Sequence, residues 1–194
     1  MTPVLELPSA AAWNTWLRGH HAKSEGVFLR IEKKNASTLT YATALEAALA
    51  WGWIDGQKKA LDESAWLQRF TRRTARSPWS KINRAKAEAL IASGKMQKPG
   101  LAEVERAKND GRWERAYDGA KTSTVPEDLA AAFARNVRAK KFFDELDSAN
   151  RYAILYRVQS AKRPETRVER ITKFVAMCAA GETIHPVKRA KKTR

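Results

Sequence analysis

With 194 residues, 43% of them hydrophobic and seven of them tryptophan, the chain has enough apolar surface for one large domain or a domain with an appendage. No run approaches the roughly 18 apolar residues that a membrane-spanning helix needs. A single cysteine, Cys178, and three histidines, His20, His21 and His185, exclude an internal disulfide and a multi-cysteine metal site, while a net charge of +16 favours polyanionic partners.

The first fifteen residues carry no basic stretch followed by an apolar one, which predicts a cytoplasmic location. Ser9 is placed to cap a first helix, in which Trp13, Trp16 and Leu17 share a face. From Gly26 the pattern changes to alternation. Val27, Leu29 and Ile31 fall on one side and Phe28, Arg30 and Glu32 on the other, as a half-buried strand requires. Lys33, Lys34, Asn35 and Ser37 read as a polar loop, followed by an alanine-rich helix with Leu45 and Leu49 that Gly52 ends. Two extended runs, 53–58 and 65–72, flank a polar turn at Leu61, Asp62, Glu63 and Ser64.

Ser77 and Pro78 signal a helix start, and that helix runs to Gly94. Pro99 opens another, which Gly111 terminates. Residues 118–126 form the clearest linker, being polar and without periodicity. Beyond it the spacing predicts helices over 126–135, 136–146 and 148–159, with Asn136 and Ser148 as caps. A last helix from Pro164 carries the apolar stripe Val168, Ile171, Val175 and Cys178. The expectation is a predominantly helical α+β fold: a small three-stranded mixed sheet covered by helices, then a C-terminal helical bundle. The corresponding divisions are 1–120, 121–181 and a disordered basic tail over 182–194.

Three segments carry candidate sites. In Trp51-Gly52-Trp53-Ile54-Asp55-Gly56-Gln57, alternation places Trp53, Asp55 and Gln57 on one strand face, where indole walls and polar handles suit a ligand pocket. The same residues also read as a helix cap, core tryptophans and an Asp-Gly turn. Between Ser64 and Ala87 there is no acid, and Arg69, Arg72, Arg73, Arg76, Lys81, Arg84 and Lys86 interleave with Trp66, Phe70 and Trp79. Such a run suits nucleic acid through base stacking and phosphate contact, a small anion held near Pro78, or a solvated basic face. Lys188, Arg189, Lys191, Lys192 and Arg194 add a second basic stretch. On the last helix Arg163, Arg167 and Arg170 share a face and form a candidate anion clamp, or a solvated stripe.

No phosphate-cradling glycine motif, nucleophile elbow or His-Glu metal helix occurs, so no cofactor is expected and Asp55 is the only reasonable acid or base. These residues favour a binding protein over an enzyme.

Residues 50–57, Leu67-Gln68-Arg69-Phe70-Thr71, Trp79-Ser80-Lys81-Ile82-Asn83, Arg151-Tyr152 and 161–167 resemble, in that order, the YdeI/OmpD-associated, bacteriocin-protection family. The resemblance spans about Val27 to Met177, and the family pattern has proline where Arg72 stands here. It implies a protective role against antimicrobial peptides or a porin association, with no established reaction and no agreed catalytic residues. The leading expectation is a cytoplasmic stress-protection protein that binds a small anionic ligand through Trp53, Asp55, Gln57, Gln68, Arg69, Ser80 and Asn83. The rivals are non-sequence-specific nucleic-acid binding through 69–86 and the tail, and an enzyme acting on a small anion.

Overall fold

The computed structural model describes residues 2–33 and 39–186, in two compact units, Met1–Ala116 and Tyr117–Arg194. The break falls four residues before the division after residue 120 that the sequence suggested. Lys34, Asn35, Ser37 and the basic residues from Lys188 onward lie outside the described residues.

The first unit is a mixed sheet with helices on one face. Strand β1 (Val4–Leu5) is followed by α1 (Ala10–His20), β2 (Val27–Glu32), α2 (Tyr41–Ala50), β3 (Trp53–Ala60), β4 (Ala65–Arg72), α3 (Lys81–Ala92) and α4 (Lys98–Asn109). The sheet has four strands in the order β1-β2-β4-β3, where three were expected. The extra one is β1, whose two residues pair in parallel with Phe28 and Leu29 and are too few to show alternation.

Ser9 caps α1 by accepting the Ala12 amide at 3.2 Å, and Thr40 caps α2 at Thr43. Gly52, at φ +75°, turns the chain out of α2 directly into β3. Asp62 closes the β3–β4 hairpin, its Oδ1 accepting the amides of Ser64 at 2.7 Å and Ala65 at 2.8 Å. The Ser64 hydroxyl and amide bonds hold its carboxyl below the usual range.

Strand alternation decides which side chains meet the helices. Val27, Leu29 and Ile31 of β2 and Trp66, Gln68 and Phe70 of β4 lie opposite one another on the helix-covered face. Trp13 of α1 packs edge-on against Trp53 at 6.1 Å and against Phe70 at 5.8 Å. Leu45, Leu49, Val104, Trp79 and Trp113 continue this core between α2, α3 and α4. Full burial of each such side chain is worth roughly 1.5–3 kcal/mol before chain entropy is set against it.

The start of α3 differs from the sequence expectation. Pro78 precedes the helix; Ser80 is the cap, its hydroxyl accepting the Asn83 amide at 3.1 Å, and the helix begins at Lys81. Proline fits the extended approach as readily as the first turn, and the capping hydroxyl decides between them.

The second unit consists of α5 (Glu127–Ala134), α6 (Val137–Glu145), α7 (Ser148–Gln159) and α8 (Pro164–Ala179). Its core holds Leu129, Phe133, Phe143, Ile154, Leu155, Val158, Ile171, Phe174 and Cys178, with Phe133 stacked on Phe143 at 4.5 Å. Asn136 caps α6 as expected, but α7 is capped by Asp147, one residue before the predicted Ser148, because its carboxylate reaches the Asn150 amide at 2.8 Å. Residues 182–186, assigned to the tail, are held in part by Asn150, whose amide accepts the His185 N–H at 2.8 Å and donates to the His185 carbonyl at 3.2 Å.

Candidate functional site

The indole-rich segment is consumed by packing. Trp51 donates to Asn14 Oδ1 at 2.6 Å, and Trp53, fully buried, donates to the His21 carbonyl at 3.1 Å. Gly52 sits between them because a Cβ there would lie 2.9 Å from the Pro99 carbonyl and 3.0 Å from Glu103 Cγ. Asp55 accepts the Tyr41 hydroxyl at 2.7 Å. A β-bulge between Asp55 and Lys58 breaks the alternation, so Asp55 opposes Phe70 and Lys58 opposes Gln68. The shared face expected for Trp53, Asp55 and Gln57 is therefore occupied at its third place by Lys58, and Gln57 is exposed within the bulge.

Of the other predicted ligand residues, only Gln68 is brought to this segment. Gln68 is buried and donates to the Gly56 carbonyl at 2.9 Å. Arg69 lies on the opposite face of the sheet, across from Phe28, and its Nε is buried with no hydrogen-bond partner among the described residues. Ser80 and Asn83 are buried at the start of α3, where they form the cap. A cleft of about 280 Å³ is lined by Glu6, Leu7, Pro8, Arg30, Glu32 and Leu39, none of them in the predicted set.

The basic segment is different, because the fold brings a second basic stretch to it. After β4 the chain turns through 73–79, and Arg73, 5% exposed, lies over the Trp79 ring at 3.5 Å and donates to the Pro78 carbonyl at 3.2 Å. From beyond α4, the buried Arg112 donates to the Ser77 carbonyl at 2.8 Å and takes both Asp110 oxygens through Nε, at 2.9 and 2.8 Å. Arg84 of α3 reaches the Trp113 carbonyl at 3.3 Å, and Trp79 meets Trp113 edge-on at 4.8 Å. Residues 72–86 and 106–115 thus form one surface, on which Arg76, Lys81, Lys108 and Arg115 are exposed.

Electrostatics within this surface are uneven. Hydrogen bonding to Arg112 holds the Asp110 carboxyl below the usual range. Burial pushes the Glu103 carboxyl above its ordinary value against the pull of Arg106, Arg112 and Arg73. The cations at its margins are more ordinary: Arg72 pairs with Glu25 at 2.5 Å and Lys86 with Glu46 at 3.3 Å. Arg72 stands at the end of β4, so the strand continues where the family pattern has proline. The stretch 106–115 was not legible as basic, because Asp110 and Glu114 alternate with its cations and leave little local excess.

In the second unit the predicted anion clamp is engaged by the chain itself. Arg167 takes Asp128 through Nε at 2.5 Å and Nη2 at 2.8 Å and donates to the Val158 carbonyl at 3.0 Å. That bidentate pair depresses the Asp128 carboxyl. Arg170 donates to the Arg157 carbonyl and to the Ser160 hydroxyl at 3.2 Å. Both arginines therefore close the C-terminal end of α7, where cations offset the helix dipole and orphan carbonyls need donors. Arg163 is exposed at the start of α8. The buried Cys178 thiol is pushed up to about 11 by burial, which leaves it protonated and unreactive at neutral pH. Burial likewise raises Tyr152 to about 12, and its hydroxyl donates to the Asp118 carbonyl at 3.0 Å.

Among known families, a domain of unknown function (DUF8412) matches residues 5–103, and the family described as bacteriocin-protection, YdeI or OmpD-associated matches residues 122–181. The second match contains the Arg151-Tyr152 and 161–167 motifs; the motifs between residues 50 and 83 fall within the first. No curated protein and no solved structure matches the chain. With just over half its length matched by the first, the chain belongs to the family of the domain of unknown function DUF8412, and its C-terminal helices carry the bacteriocin-protection, YdeI or OmpD-associated segment that the sequence resembled.

Proposed function

We propose that the first unit binds nucleic acid without sequence preference, through phosphate contacts on the surface made by residues 72–86 and 106–115. One observation carries this reading: Arg112 bonded to Ser77 and Arg84 bonded to Trp113 join two basic stretches that are separate in sequence. The buried Arg73 and Arg112 donate to main-chain carbonyls and fix the loop, while Arg76 and Lys108 are exposed beside it, as is Arg115, one of whose donors holds the Asp110 carbonyl at 2.9 Å. A small-anion groove has less support, since Trp53, Gln68 and Asn83 are buried and Arg69 stands on the other sheet face.

Phosphate contacts from Arg76, Lys108 and Arg115 set log Kobs falling against log salt with a slope of about −2.7 for duplex DNA. Filter retention of a labelled duplex over a salt series checks this. Arg76→Ala, in an exposed turn, should make the slope shallower by about 0.9 while leaving the fold intact. Absence of any retention at low salt, or a slope that Arg76→Ala does not change, would overturn the reading.

A further inference from the structure

Resting on that reading, we infer that the nucleic acid this surface takes is double-stranded, because the aromatic rings within it are buried and present no face on which an unpaired base could stack. Single strands are held by a basic groove together with exposed rings on which successive bases stack. The aromatics in and around this surface are not available for that. Trp79 is 2% exposed and Trp113 5% exposed, and Phe70 is fully buried. Arg73 lies over the Trp79 ring at 3.5 Å. Lys108 and Arg84 approach the Trp113 ring at 5.6 and 5.9 Å.

What the surface presents is charge on a fixed frame. The loop at 73–79 is held by two buried guanidinium groups and carries the exposed Arg76, and Arg84 of α3 ties it to the second stretch through the Trp113 carbonyl. Such a frame suits a stiff, regularly spaced anion lattice. A duplex offers one charge per roughly 1.7 Å of axis, about twice the density of either strand alone, and no unstacked base needs a partner.

The test compares a duplex of about 20 base pairs with each of its strands at matched salt, by fluorescence anisotropy. The duplex should bind about ten-fold more tightly, with a salt slope near −0.9 per phosphate against about −0.7 for the strands. Intrinsic fluorescence gives a second readout: base stacking quenches indole emission, so the protein's tryptophan signal should stay unchanged at saturation. Strands that bind as tightly as the duplex, or that quench the emission on binding, would overturn the duplex inference and leave phosphate binding standing. Failure of both forms to bind would overturn the broader reading as well.

Discussion

Arg112 shows how a single charged side chain can be structural inside a basic surface. It is buried, its Nε faces the Asp110 carboxylate, and its Nη1 meets the Ser77 carbonyl. Arg112→Ala leaves that carbonyl and part of the carboxylate without donors, and should lower unfolding stability by about 2–3 kcal/mol in denaturant titrations. Arg112→Lys should recover only part of this, because a single ammonium lacks the rigid planar fork that serves the Asp110 carboxylate and the Ser77 carbonyl at once. At this scale the sequence was least legible. Arg69, Arg73 and Arg76 look alike in the chain, yet one lies on a sheet face, one lies on an indole and one reaches solvent. Their partners come from remote segments, and spacing along the chain holds no record of those.

At the scale of elements, periodicity and capping residues identified the helices and the three longer strands, because each buries a regular face. Irregularities escaped. Strand β1 is too short for a pattern, and the bulge after Asp55 moves Lys58 to a position that alternation had assigned to Gln57. The two indoles of residues 51–53 looked like pocket walls, whereas the glycine between them serves the approach of α4 to the end of α2. That seam is tighter still at Gly100, where an added Cβ would stand 2.2 Å from the Ala50 carbonyl. The nearest obstacle is backbone, which yields less readily than the end of a flexible side chain. Gly100→Ala should therefore destabilise the chain by about 3 kcal/mol or more in thermal or chemical melts, despite the better helix propensity of alanine. Gly19→Ala, with nothing within 4 Å, should be neutral or slightly stabilising.

At the scale of the molecule, two cores lie in two units, and all seven tryptophans fall in the first. Indole emission therefore reports one unit alone, while far-ultraviolet dichroism reports the helices of both. Phe143→Ala opens a cavity in the second core and should remove about 3–5 kcal/mol there. The expected result is a lowered dichroism transition with the tryptophan transition unmoved; equal shifts in both probes would mean that the units unfold as one. The break after Ala116 was only roughly legible, because a linker announces itself by polar composition while a core boundary depends on which side chains meet.

The bulge in β3 has a further consequence. This strand ends the sheet, and its residues from Gly56 to Ala60 are exposed, which is the geometry that lets chains zip together into fibrils. Here the extra residue bends the rim, and Lys58 and Lys59 stand on it, so an incoming backbone meets both a kink and two like charges. The rim is a poor template for endless stacking, which favours a chain that stays dispersed when concentrated.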